Sequence, residues 1–333
     1  MNESFIGVDL HKRFCVFTEI DHAGNVLRRG RFGNNIQEVS VFASTLSPKV
    51  KLTVEPLLNY LWFADQVEPY VGSLCPADPH KTRVIAEAKC KTDSYDSLML
   101  AELLRVDFLP RSYLPPKEIR ELRELIRQRC YLVRNRAMFK NRIRHLLFLN
   151  GGKIEAKDVS SPKARREIGQ LYLPDHTRHS IGQCLELIDQ LGKRIEPLED
   201  EIISSCQEIE EVTLLETIPG VGRLQAIIIY AEIVDIKRFK SAKALASYTG
   251  LVPTIRASAD NVRGGGITKI GSRPLRTALV EAAMKAPRYS AELNRMYWRI
   301  AQRGNTKKAR VAVARKLATI IYVMLNKREA FRR

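Results

Sequence analysis

FIGVDLHKRFCVFTEIDHAGNVLRRGRF, Phe5 to Phe32, decides the fold. It breaks into the runs FIGVDL, FCVFTEI and NVLRRGRF, separated by His11-Lys12 and by DHAGN. Apolar and β-branched runs punctuated by turn-formers predict three strands in a meander. IQEVSVFASTL, Ile36 to Leu46, then has helical apolar spacing, KLTVEP (Lys51–Pro56) returns to strand character, and LLNYLWFADQVEPY (Leu57–Tyr70) reads as a helix. SLCPA (Ser73–Ala77) is a short buried strand, and the apolar LML after KTDSYDS opens a further helix. Three strands followed by alternating helices and strands predict an α/β, RNase H-like N-terminal domain over residues 1–110.

That expectation gives the acidic residues a shared place. Asp9 lies in the first strand, Glu55 ends the strand KLTVEP, and Asp93 and Asp96 stand three residues apart at a helix start. In an RNase H-like sheet the first and fourth strands are neighbours, so Asp9 and Glu55 converge and the later helix delivers the last two. Clustered carboxylates cannot all stay ionised without a cation. Mg²⁺ (or Mn²⁺) takes carboxylate, water and phosphate oxygens, and a pair of such ions suits phosphodiester cleavage. The bland reading is a strand-end acid plus a helix N-terminus carrying favourable negative charge.

The 55 Lys+Arg against 37 Asp+Glu leave a net charge of +18, a balance that points to a polyanion such as nucleic acid. The six cysteines are scattered without a CxxC pair, which predicts reduced thiols and speaks against a zinc site. No apolar run reaches the roughly 18 residues of a membrane span, and MNESFIGVDL lacks the signature of a signal peptide. These features fit a cytoplasmic protein that is not associated with a membrane.

From Pro115 the character changes. PPKEIRELRELIRQRCYLVRNRAMFKNRIRHLLFLNG predicts one long basic helix ending at Gly151-Gly152, an oligomerising coiled-coil arm whose Arg127 and Arg134 are placed to follow a phosphate backbone. A second, acidic helix from about Ser180 to Glu211 is expected to pair with it in an antiparallel hairpin, giving an arm over 111–211. The remainder, 212–333, reads as mostly α. Its IPGVG stretch resembles a helix-hairpin-helix turn, in which Gly220 and Gly222 let the backbone approach a phosphate. RASADNVRGGGITKIGSRPLR (Arg256–Arg276) reads as a Gly-rich loop, and a basic amphipathic helix closes the chain.

Taken in order, GVDLHK, TVEP, KTDSYDSLMLAELL, IPGVGRLQA, RFKSAKALASYTGLVP, GGGITKIGSRPLRTALVEAA and KKARVAVARKLATIIYVML resemble the insertion-sequence-110 family, the DEDD transposases, over nearly the whole chain. The resemblance implies a RuvC-like DEDD domain in which Asp9, Glu55, Asp93 and Asp96 are catalytic metal ligands. It also implies a coiled coil and a C-terminal transposase domain with a nucleophilic serine shortly after GLVP. Ser258 is the only serine of that loop; Ala257 and Ala259-Asp260 stand where the family often has serine and glycines, and Thr254, Ser247 and Ser241 are the alternatives in that order. A serine hydroxyl there would form a covalent phosphoserine link and conserve bond energy for rejoining, with Arg256, Arg263, Lys269, Arg273 and Arg276 near the scissile phosphate. A noncoding bridge RNA pairing with DNA at the element ends and target, and a homo-oligomer (dimer or tetramer) that combines the two sites across protomers, are further implications. Two competing readings are a RuvC-like metal-dependent DNA junction nuclease and a non-catalytic nucleic-acid-binding protein on the same scaffold.

Overall fold

The structure is a computed structural model that describes residues 3–57, 59–79, 81–82, 92–258 and 261–331. The chain divides into two compact units, Met1–Pro115 and Pro116–Arg333.

The first unit is built on a five-stranded sheet, β1 (Ser4–Leu10), β2 (Phe14–Ile20), β3 (Val26–Gly33), β4 (Val50–Val54) and β5 (Ser73–Pro76), in the order β3-β2-β1-β4-β5. β1–β2 and β2–β3 pair antiparallel, while β1–β4 and β4–β5 pair parallel. The crossover helices α1 (Ile36–Ser44) and α2 (Tyr60–Val67) follow β3 and β4. The three-strand meander and the pairing of the first strand with the fourth are as the sequence leads one to expect. β1 is central and buried along its whole length, which is why SFIGVDL reads as a nearly continuous apolar run. Ile6, Val8 and Leu52 join Val39, Phe42 and Phe63 in one core on one face of the sheet.

On the other face lies α3 (Asp93–Arg105), which buries Leu100, Ala101 and Leu104 against Phe5 and Ile20. Gly7 makes this approach possible. A Cβ at that position would sit 2.1 Å from Ser97 O and 2.5 Å from Ala101 N, so only glycine lets the helix backbone rest on the strand.

The second unit begins with α4 (Lys117–Leu149), as the sequence predicts, and Gly151 ends it with φ +67°. After the short α5 (Pro162–Gln170) comes α6 (Asp175–Ser204). α6 starts earlier than expected and stops short of Glu211: Glu210–Glu216 form a separate helix, α7. The two long helices run antiparallel, because early residues of α4 meet late residues of α6 and late residues of α4 meet early ones of α6. Leu122 and Ile126 share a core with Ile202, Arg129 bonds Glu199 at 2.7 Å, and Ile143 and Leu147 pack with Ile181 and Cys184.

The rest of the unit comprises α8 (Arg223–Ile233), α9 (Ala242–Tyr248), β6 (Pro253–Ser258), β7 (Asn261–Ile267), α10 (Arg273–Lys285), α11 (Ala291–Ala301) and α12 (Thr306–Lys327). Its core joins Ile227 and Ile229 of α8 to Leu279 of α10 and Leu317 and Ile321 of α12. One expectation is corrected here. Much of the stretch read as a Gly-rich loop is a β-hairpin, with Ile255 opposite Gly264, Arg256 opposite Arg263 and Ser258 opposite Asn261. β-branched Thr254, Ile255 and Val262 supply strand preference on both sides of the turn, and that outweighs the three glycines. Among the described residues no helix is long and apolar enough to cross a membrane, and Cys15, Cys75, Cys130, Cys184 and Cys206 are free thiols.

Candidate active site

β1 carries Asp9 to the end of the central strand, where its side chain is nearly buried. Glu55 follows β4 directly, and its backbone N–H donates to Val8 O at 3.1 Å, holding it beside Asp9. Asp93 and Asp96 occupy the first turn of α3, whose N-terminus is capped by Thr92 Oγ1 accepting from Tyr95 N. Ser97, next in the chain, is fully buried, and its hydroxyl meets Thr18 Oγ1 of β2 at 2.8 Å. That hydrogen bond and the Gly7 contact fix the start of α3 over the end of β1.

The four carboxylates therefore lie close together at the end of β1. Asp9 is pushed up to about 6 from 3.8: burial is the main cause, the charges of Glu55, Asp96 and Asp93 push the same way, and His11 opposes them. Asp9 and Asp93 are in direct ligand reach of one another, whereas Glu55 and Asp96 act on Asp9 through their charge.

His11 is the residue that sequence reasoning passed over, as part of a turn signal. Its Nε2 lies 3.0 Å from Asp9 Oδ2 and 3.5 Å from Asp93 Oδ2. That nitrogen is buried and forms no hydrogen bond of acceptable geometry with either carboxylate. One donor atom from each of Asp9, His11 and Asp93 can be chosen so that all lie within 4.8 Å of one another. A nitrogen and two carboxylate oxygens that crowd one point without bonding each other have the disposition of ligands around a cation, and their chemistry suits a divalent metal. The ring is held by its own backbone: His11 N donates to Phe14 O at 2.9 Å, His11 O accepts from Asn34 Nδ2 at 2.7 Å, and the imidazole rests against Phe14 at 4.5 Å. His11 stands one residue past the end of β1, so strand alternation gave no signal for it.

The second group of predicted residues belongs to the other unit. Ser258 is the last residue of β6, at the tip of the hairpin; the side chains of Arg256, Ser258 and Arg263 lie outside the described ones, as do residues 259 and 260. Two of the alternative hydroxyls have structural partners: Thr254 Oγ1 donates to Gly266 O, and Ser241 caps α9. Ser247 is exposed on α9.

The root of the hairpin is tied to the helical core. Lys269 N donates to Gly250 O, Ser272 N to Tyr248 O, and Arg276 Nη1 to the carbonyls of Thr249 and Lys269. Burial lowers the pKa of Arg276, and Arg273, exposed in the first turn of α10, adds to the effect. Lys269 is exposed, with φ +56°.

Among the other predicted nucleic-acid contacts, Arg134 is exposed on α4, and Arg127 Nη2 donates to buried Glu232 at 3.3 Å. Gly220 has φ +87°, and a Cβ there would meet Lys285 Cβ at 2.9 Å, so this glycine serves close packing of the α7–α8 turn on α10. Gly222, at the N-cap of α8, is open.

An RNase H-like sheet that gathers four carboxylates and a histidine, in a chain with a strong basic excess, defines an enzyme of nucleic-acid phosphodiesters. Comparisons with known proteins make this specific. Residues 6–149 match a DEDD-type family model described as "Transposase", and residues 212–306 match the "Transposase IS116/IS110/IS902 family". The transposase for insertion sequence element IS1111A of Coxiella burnetii is 27% identical over 98% of this chain and 91% of its own length. A pilin gene-inverting protein of Moraxella bovis is 26% identical over 99% of this chain and 98% of its own. A putative transposase of Sinorhizobium fredii is 27% identical over 59% of this chain, a match that spans 48% of that protein. The chain belongs to the IS110 family of insertion-sequence transposases, enzymes that cleave and rejoin DNA.

Proposed function

We propose that this transposase moves its element through two chemically distinct centres. Asp9, Asp93 and His11 hold a divalent cation, Mg²⁺ or Mn²⁺, with Glu55 and Asp96 completing the negative charge around it. When bound, the metal supplies Lewis-acid polarisation of the scissile phosphodiester. Asp9 must be ionised to serve, and a bound cation would offset the burial that raises its pKa. Ser258 attacks: its Oγ bonds to phosphorus as one P–O ester bond of the strand breaks, and the phosphoserine link keeps the energy of that bond for rejoining. Arg256, Arg263, Lys269 and Arg273 surround the phosphate, while Arg276 holds the hairpin root.

The chain would then work in three parts: the DEDD domain (1–110), a coiled-coil arm of α4 and α6 (111–211) that assembles a dimer or tetramer, and the transposase domain (212–333). The α7–α8 turn, with Gly222 at its open end, acts in the manner of a helix-hairpin-helix. A noncoding bridge RNA chooses the DNA, and the protein acts at the nucleoid. The observation that carries this reading is the convergence of four carboxylates and His11 at the end of β1.

The test is covalent trapping. Protein, Mg²⁺, the RNA flanking the element and labelled junction DNA are quenched in denaturant, with Ser258→Ala and Asp96→Ala alongside. A labelled protein band that both substitutions remove is the expected result. Cut DNA without such a band, unaffected by Ser258→Ala, would make the chain a metal-dependent nuclease of the RuvC kind.

A further inference from the structure

The second unit contains a groove of about 650 Å³ that neither centre uses. One wall is the root of the β6–β7 hairpin, and the other is one face of α12. Lys308, Val311, Ala312, Arg315 and Thr319 line it at three- and four-residue spacing, which puts them on one stripe of that helix. The core side of α12 is a separate stripe, made by Val313, Ala314, Leu317 and Ile321.

The groove has two chemistries. Its floor is aliphatic: Leu251, Ile267, Met296 and Val311 contribute. Its rim is cationic, with Lys307, Lys308 and Arg315 exposed, while Lys316 is paired with Glu292 at 2.9 Å. No carboxylate is among the lining residues described. Asn305 and Thr319 add polar groups at the edge. The volume falls within the range of about 300–1,000 Å³ typical of pockets that enclose a small organic group.

A ligand that satisfies both surfaces is flat and apolar at one end and anionic at the other. An unpaired nucleotide has this form: the base face packs on aliphatic side chains while its flanking phosphates meet the cations. The established activity of the protein brings DNA strands to it.

We propose that this groove accepts one unstacked base of a DNA strand handled by the transposase. β6 extends from the groove at Pro253 to its tip at Ser258, about 17 Å at strand rise. That length corresponds to about five nucleotides along one strand of B-form DNA. The spacing to the cut rests on the Ser258 reading; the affinity of the groove for a base does not.

Gly266 supplies a clean probe. It lines the groove, its φ is not left-handed, and a Cβ built there meets nothing within 4 Å. The side chain of Gly266→Leu therefore starts in open space beside the groove. Ala312→Leu is an independent obstruction from the helical wall, in case the first substitution disturbs the hairpin.

The experiment uses the full chain in EDTA, so that no cleavage occurs, with a 12-nucleotide single-stranded DNA carrying one central 2-aminopurine and a terminal fluorescein. Anisotropy reads binding anywhere on the protein, and 2-aminopurine emission reads the surroundings of the base. The expected result is an emission rise at saturation that is absent with the same oligonucleotide in a duplex. Both Gly266→Leu and Ala312→Leu abolish the rise while affinity by anisotropy changes less than tenfold. Arg315→Gln lowers the slope of log affinity against log salt by about 0.7, the loss of one phosphate contact on a single strand. The proposal is overturned by an unchanged emission, by a rise that survives both obstructions, or by an RNA of the same sequence that binds the groove more tightly than the DNA. Ser258→Ala leaves the emission signal intact, so a failure of the serine reading in the trapping assay is distinguishable from a failure here.

Discussion

The two proposed centres are held in place by different physics. The carboxylates stand at the end of a central strand, with an α-helix seated directly on it at Gly7 and a buried Thr18–Ser97 bond beside the helix start. Among the described residues, α3 is packed on β1 and β2, so the positions of Asp9, Asp93 and Asp96 follow largely from steric fit. The hairpin that carries Ser258 is instead a two-stranded ribbon that, among the described residues, joins no larger sheet. Its root is fixed by hydrogen bonds and a desolvated arginine at Gly250, Lys269, Ser272 and Arg276. A packed site tolerates loss of a hydrogen bond but not added volume. A hydrogen-bonded root has the opposite weakness.

The sharpest way to break this contrast is Gly7→Val. Its Cβ would lie 2.1 Å from Ser97 O, so α3 must move off β1. Overpacking of this kind costs about 3 kcal/mol at the upper end, and the expected outcome is a drop in thermal stability of the first unit together with loss of Mn²⁺ binding by calorimetry. Wild-type Mn²⁺ affinity in Gly7→Val would show that the carboxylates are not set by this contact.

Asp9 offers the next largest effect, through pH. Its folded pKa of about 6 exceeds the 3.8 of the unperturbed group. Between those values the folded chain binds more protons than the unfolded one, so stability is fully present below pH 4 and declines as pH rises through 6. Two pKa units correspond to about 3 kcal/mol. Urea titrations of the metal-free protein from pH 4 to 7 should show this decline, and Asp9→Asn should flatten it. Saturating Mn²⁺ should offset it, because the cation binds the ionised form. A flat profile in the metal-free wild type would mean that Asp9 is better solvated than its burial implies.

How much of this was legible in the sequence depended on whether a residue's role is local. SFIGVDL could be read as a central strand because burial on both faces leaves Asp9 as its one acid. The strand order then placed Glu55 and the start of α3 nearby. His11 was missed because its value depends on where its ring turns after the strand ends, and that is set by Phe14 and Asn34 from two other segments. Gly7 reads as an ordinary strand glycine until a helix is known to lie on it. The hairpin was read as a loop because GGG dominates local propensity, whereas the pairing Arg256–Arg263 joins residues seven apart. The end of α6 at Ser204 is set by the separate packing of Val212 and Leu215 on the C-terminal core, which helical periodicity alone does not reveal.

His11 also sharpens the comparison, since it tests whether the packed site reaches beyond carboxylates. His11→Gln keeps a polar side chain but removes the imidazole nitrogen that faces Asp9 and Asp93. The expected fall in Mn²⁺ affinity is about 10-fold or more. Electron spin-echo measurements on bound Mn²⁺ should show a ¹⁴N coupling in wild type that the substitution removes. A coupling that persists would assign the nitrogen to another group and leave His11 as a mere neighbour of Asp9.

The smallest effect belongs to the hairpin root. Ser272 Oγ accepts from Leu275 N to cap α10 and donates to Glu232 Oε2 at 3.0 Å, so one hydroxyl serves a helix end and a buried carboxylate. Ser272→Ala removes both bonds. Loss of an N-cap costs about 1 kcal/mol, and Glu232 remains beside Arg127 at 3.3 Å and Arg123 at 3.9 Å, which limits the further loss. The expected consequence is a stability decrease of about 1–2 kcal/mol confined to the second unit, with Mn²⁺ affinity unchanged. Hydrogen exchange at Lys269 and Ser272, whose amides donate to Gly250 O and Tyr248 O, would report the loosening directly. If those amides exchange no faster in Ser272→Ala, the hairpin is anchored by Arg276 and the packing of α10 instead, and its root is as much a packed site as the carboxylate centre.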